Sequence, residues 1–149
     1  MSGEVFVDTN VAVYALDLAE PEKQQRASAG MEHLWATRRG RVSFQVLQEL
    51  YVTLTEKLDP GLERAAAREA VRALAAWRPL SLDQRVLEGA FAVQDRHRLS
   101  WWDALIVAAA EVAGCRYLLT EDLQHGAALG GVTVVSPFRT APDELERAR

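Results

Sequence analysis

The chain has 149 residues, 49% hydrophobic and 26% charged, with a formal net charge of −4; this is the size and balance of one globular domain able to bury a core without staples. Its single cysteine, Cys115, excludes an internal disulfide and any cysteine-built metal site, and the negative balance argues against non-specific nucleic-acid binding through overall charge. No charged-then-apolar leader opens the sequence and no apolar run reaches the length of a membrane span, so a cytoplasmic protein without a membrane partner is the expectation.

Residues 4–8 read as a first strand, and residues 9–17 as a short helix with Val11, Tyr14 and Ala15 inward. Pro21 opens a second helix to about Arg38, with Ala27, Met31, Leu34 and Trp35 at helical spacing, and Gly40 breaks it. Residues 41–44 form a short strand. Residues 45–58 form a helix that carries Leu47, Leu50, Tyr51, Leu54 and Leu58 on one face. Pro60-Gly61 is a turn, followed by an alanine-rich helix over 62–77. Residues 79–82 read as a weak edge strand, and Ser81 with Gln84 resembles a capping box. Residues 84–98 are a helix with Val86, Leu87, Ala90 and Phe91 inward. Residues 101–113 form the most apolar helix, which is expected to be the most buried. Cys115, just after it, reads as a small buried apolar group. Residues 116–120 and 132–136 are strands separated by a Gly-rich loop, and a polar tail from Thr140 is expected to fray.

Strands alternating with helices imply parallel strands joined by crossover helices. Such sheets place ligand sites beyond the carboxyl ends of their strands. Asp8 and Asp122 fall at such ends, and Asp103 falls in the first turn of a helix. Carboxylates gathered at one rim repel one another unless a cation lies among them, which points to a hard divalent metal and to phosphate chemistry. A net negative charge is compatible with a nucleic-acid enzyme whose acids surround metal ions.

Each acid also has a plainer reading. Asp8 in Asp8-Thr9-Asn10 can cap the helix that follows. Ser100-x-x-Asp103 fits a capping box, which is compatible with ligand duty in the same first turn. Glu49 lies off the leucine stripe, on a polar face with Gln45 and Gln48, and periodicity does not select it over Glu56. Asp122 shares its loop with Glu121, and either fits as the fourth acid. Thr120, at the strand end, can hold a carboxylate by hydrogen bonding. His33, His97 and His125 have no metal-binding spacing. Arg96-His97-Arg98 before Trp101-Trp102 mixes basic and aromatic residues in a way that suits single-stranded nucleic acid, the plainer reading being one core tryptophan and solvated arginines.

Four segments together resemble a known family: Val7-Asp8-Thr9-Asn10, Gln48-Glu49-Leu50, Ser100-Trp101-Trp102-Asp103-Ala104-Leu105-Ile106, and Leu119-Thr120-Glu121-Asp122-Leu123-Gln124-His125-Gly126. In this order and separation they are similar to the PIN-domain ribonucleases, and within them to the VapC-type toxins of toxin–antitoxin pairs. The likeness runs to about Phe138, so residues 1–138 are expected as a single nuclease domain and 139–149 as a polar tail. It implies a three-layer α/β/α fold with a five-stranded parallel sheet flanked by helices on both faces. It implies that Asp8, Glu49, Asp103 and Asp122 line one pocket and bind Mg²⁺ or Mn²⁺, which selects Glu49 over Glu56 and Asp122 over Glu121. An RNA substrate, an antitoxin partner and a homodimer follow from the same resemblance.

Competing readings fit less well. A dehalogenase-like, Mg²⁺-dependent phosphohydrolase needs a second Asp two residues after the first, where this chain has Asn10. A phosphoacceptor receiver domain needs paired acids after the first strand and a lysine near the last strand, and no lysine follows Lys57. The third is an inactive PIN-like binding module, against which the intact set of four acids argues.

Overall fold

The first apolar run forms a buried strand in the computed structural model, which describes residues 3–141 and residue 144. All three side chains of β1 (Val5–Val7) are fully covered. A strand with no polar face needs cover on both sides, which is the environment of a parallel α/β sheet. β1 pairs in parallel with β2 (Gly40–Arg41) on one side and β3 (Tyr117–Leu119) on the other. β3 pairs in parallel with β5 (Val132–Val135), and β4 (Ala128–Leu129) runs antiparallel along β5. The strand order is β2-β1-β3-β5-β4.

The expected five-stranded sheet is present, with two local differences. Residues 79–82 make no strand; Leu80 forms a single parallel bridge with Ser43, donating to the Val42 carbonyl at 2.9 Å and accepting from Phe44 N at 3.1 Å. Pro79 has no N–H to extend that ladder. The fifth strand is instead β4, at the far edge, inside the Gly-rich loop. Gly130-Gly131 forms a two-residue hairpin turn there, with Gly130 at φ +65°, a backbone conformation that glycine adopts without a Cβ clash.

Among the described residues, six α-helices cover the sheet on both faces: α1 (Thr9–Tyr14), α2 (Pro21–Thr37), α3 (Phe44–Val52), α4 (Arg64–Leu74), α5 (Gln84–His97) and α6 (Trp101–Val112). α1 packs on α2 and α3, and α3 on α4; α5 packs along α6, which rests on β3 and β5. α3 continues into one π-helical turn, Thr53–Lys57. Every side chain from Ala104 to Ala110 is buried, so α6 is the core helix that its composition implied, and Cys115 is buried beside it. Burial raises the Cys115 thiol to about 12, so it stays protonated and inert. Among the described residues, no helix is long and apolar enough to cross a membrane.

Some boundary details differ from the sequence reading. Arg38, in the left-handed region at φ 57°, ends α2, and Gly40 two residues on begins β2. Asp83, not Ser81, caps α5 by accepting from the backbone N–H of Arg85 and Val86. Leu87 and Phe91 are 42% and 46% exposed, whereas Val86 and Ala90 are buried as expected and Val93 joins them. The tail from Thr140 lies mostly outside the described residues.

Gly40 has a specific packing role. A Cβ there would stand 2.5 Å from the ring of the buried Trp77. Gly40→Ala is therefore expected to destabilise the fold by about 1–3 kcal/mol, measured by urea denaturation; an unchanged midpoint would contradict this packing.

Candidate active site

From β1 the chain runs outward to β2, whereas β3 leads to β5 on the opposite side. The connections therefore diverge between β1 and β3, and the crevice beyond their carboxyl ends is where such folds bind ligands. The pairing Val7↔Leu119 sets the register, which brings Asp8, the next residue after β1, alongside Thr120.

Asp8 is a buried carboxylate, 6% exposed. It caps α1, with Oδ1 accepting from Thr9 N at 2.7 Å. Its Oδ2 accepts from Thr120 Oγ1 at 2.8 Å and from Asn10 Nδ2 at 3.2 Å. The Asn10 amide also donates to Thr120 Oγ1 and to Asp122 Oδ2, both at 3.1 Å, and its Oδ1 accepts from Glu121 N at 3.1 Å. Thr120 Oγ1 accepts in addition from Asp122 N at 3.1 Å. Asn10 and Thr120 thus tie Asp8 to the loop that carries Asp122. On the other side, Thr9 Oγ1 donates to Glu49 Oε1 at 3.2 Å. Asp103 enters from the first turn of α6, where Ser100 Oγ accepts from its backbone N–H at 3.2 Å.

These elements border an open cavity of about 210 Å³ lined by Asp8, Glu49, Asp103 and Asp122. The four acids singled out in the sequence thus share one cavity. Glu56 is exposed on the π turn and does not line it. Glu121 is tied elsewhere, to Lys23 Nζ at 2.6 Å. His125 also stays outside, its Nδ1 accepting from Ser136 N at 3.0 Å, and neither Arg96 nor Arg98 reaches the cavity. Trp102 lines it, whereas Trp101 packs against Phe91 with ring centroids 5.3 Å apart. In the sequence Asn10 stands out only as part of Asp8-Thr9-Asn10. Its bridging role depends on Thr120 and Asp122, more than a hundred residues away, and no local pattern announces it.

The electrostatics are those of uncompensated negative charge. Burial pushes the Asp8 carboxyl up to about 6, against the hydrogen bonds from Thr120 and Thr9, with Asp122 and Glu49 raising it further. No Lys, Arg or His lines the cavity among the described residues. Hard carboxylate oxygens without a cationic partner suit Mg²⁺ or Mn²⁺ by donor chemistry. Among the described residues, no three Asp, Glu, His or Cys side chains are grouped closely enough to hold an ion together; ligation by this set therefore requires its side chains to draw inward.

Asp8 gives stability a defined pH dependence. Its folded-state value lies above the ordinary aspartate value of 3.8, so the folded protein keeps a proton that the unfolded chain releases. The resulting cost is absent below about pH 4, grows as pH rises, and is complete above about pH 6, reaching about 3 kcal/mol. In chelator, Asp8→Asn is expected to remove this component, so that the stability difference between variant and parent shifts in the variant's favour from pH 4.5 to 7.5. A difference that does not change with pH, measured by urea titration, would contradict the assignment.

Several solved chains resemble this one. A toxin–antitoxin complex from Klebsiella pneumoniae matches with a TM-score of 0.64 and 20% identity, covering 90% of this chain and 98% of that one. VapBC2 from Rickettsia felis, bound to a DNA fragment from its promoter, matches with a TM-score of 0.61 and 12% identity, covering 89% of this chain and 97% of that one. At these identities the likeness is one of fold. No curated protein matches the chain. The family model of the PIN domain matches residues 5–128, a span that holds both diverging strands and all four cavity-lining acids, and the chain belongs to the PIN-domain family.

Proposed function

We propose that the protein is a metal-dependent endoribonuclease acting as the toxin of a toxin–antitoxin pair, with Asp8, Glu49, Asp103 and Asp122 holding Mg²⁺ or Mn²⁺. The observation that carries this reading is the convergence of four carboxylates, without a cationic side chain, on one cavity at the divergence of β1 and β3. A hard divalent cation bound there would neutralise the carboxylates and supply Lewis-acid activation for hydrolysis of a phosphodiester.

The chain's own residues provide the frame. Asp8 is held by hydrogen bonds to both oxygens and is the most rigidly placed of the four. Asn10 keeps Asp122 in reach of Asp8, and Thr9 does the same for Glu49. Asp103 stands at the amino end of α6, where the helix dipole favours a carboxylate. Asp8 is buried at the floor of a pocket open to solvent, so screening is weakened most at that carboxylate.

The toxin assignment rests on the fold shared with the two complexes and on the cavity's charge. An acidic pocket is complementary to a basic side chain, and an antitoxin segment carrying one would block both metal and substrate. A homodimer and a cytoplasmic location belong to the same proposal.

The test is cleavage of a mixed, structured RNA pool by antitoxin-free protein. Cutting in Mg²⁺ or Mn²⁺ is expected, with loss in chelator and a fall of about 100-fold or more in Asp8→Asn. Cutting that persists in chelator or in Asp8→Asn would refute the metal-centred reading.

A further inference from the structure

A second groove, of about 580 Å³, adjoins the acidic cavity and shares Thr9, Gln45, Glu49 and Trp102 with it. Two of those shared residues are unexplained by the fold. Gln45, in the first turn of α3, is 6% exposed, and neither its amide nitrogen nor its amide oxygen has a hydrogen-bond partner. A buried primary amide left unpaired costs free energy that an apolar residue of the same size would not. Both amide atoms are covered here although the residue lines the groove, so a turn of the side chain is what would present them to the complementary edge of a ligand.

Trp102 is the other. Its neighbour Trp101 rests on Phe91, yet Trp102 is 63% exposed at the boundary of both cavities, one residue from Asp103. An indole in water beside a pocket offers a flat apolar face. Further along the groove Lys57 lines the wall from the π turn and supplies a positive charge. A cation for a phosphate, a ring for a base face and an amide for a base edge are the three contacts an unpaired nucleotide needs. A base within a duplex is stacked on its neighbours and cannot offer its face to Trp102.

We propose that Gln45 and Trp102 form a nucleotide-specificity subsite beside the acidic pocket, in which an unpaired base stacks on the Trp102 indole while the Gln45 amide reads its hydrogen-bonding edge. The subsite rests on the ribonuclease reading and deepens it: the substrate is single-stranded at the cut, and the enzyme prefers some bases over others next to it.

The experiment measures binding of fluorescein-labelled A, C, G and U hexaribonucleotides by anisotropy, in protein carrying Asp8→Asn to prevent cleavage. Trp102→Ala is expected to weaken binding of every hexamer about tenfold, and Trp102→Phe to restore most of it. Gln45→Met is expected to level the preference among the four hexamers without lowering the melting temperature, because it removes an unpaired buried amide. Equal binding by Trp102→Ala, a parent with no base preference, or a preference that survives Gln45→Met would each overturn the proposal. Failure of the ribonuclease reading shows separately: protein with Asp8 intact would cut no RNA in Mg²⁺ or Mn²⁺, and both readings would fall.

Discussion

Asp8 can be buried only because the parallel pairing of β1 with β3 sets Thr120 against it. The register Val7↔Leu119 is enforced by strands whose side chains are covered on both faces, so a slip would expose or misplace the core as well as the site. Given that register, Thr120 Oγ1 donates to Asp8 at 2.8 Å while accepting from Asn10 and from the Asp122 backbone. A hydroxyl has one proton and two lone pairs, and all are used. The site's geometry is therefore a consequence of core packing, transmitted through one threonine and one asparagine.

This arrangement balances two opposing demands. Thr9, Asn10 and Thr120 give the Asp8 carboxylate hydrogen bonds that favour its charged form, while burial and the neighbouring acids oppose it. Burial wins, and the group rests near 6, with its charge uncompensated at neutral pH. A protein selected for stability alone would place an apolar or amide side chain here. Retaining the acid stores a cost that a cation bound there would relieve, and such binding would then be linked to folding stability. Glu121 provides the contrast within one loop: held by Lys23 and Tyr14, its carboxyl lies below the usual range although burial works the other way. Two adjacent acids are thus divided between cavity and surface by their partners.

Much of this was legible in the sequence, for physical reasons that differ by residue. Asp8 and Asp122 were visible because an apolar run ending in an acid marks a strand terminus, and parallel sheets bind at such termini. Asp103 was visible because Ser100 announces a helix start. Glu49 was not separable from Glu56 by periodicity, since both lie off the leucine stripe; the family likeness singled it out, and in the structure Glu49 lines the cavity while Glu56 faces solvent. The hairpin at Gly130-Gly131 carried a turn signature, but its two-residue strand was too short for any alternation to declare it. Of the four α5 residues assigned inward by hydrophobicity, Val86 and Ala90 are buried, whereas the packing of α5 along α6 buries Val93 in place of Leu87 and Phe91. The unpaired Gln45 amide and the divergence of Trp101 from Trp102 depend on neighbours far along the chain, so only the fold reveals them.

If the four acids form one cation site organised by Asp8, direct Mn²⁺ binding reveals it with least dependence on substrate. Titration by calorimetry, with bound Mn²⁺ followed by electron paramagnetic resonance, would compare the parent with Asp8→Asn and Glu121→Gln. Such a site gives saturable binding by the parent, loss in Asp8→Asn, and retention in the Glu121→Gln variant, since the Glu121 carboxylate lies outside the cavity. Equal binding by Asp8→Asn and the parent, or no binding by the parent at all, would contradict it.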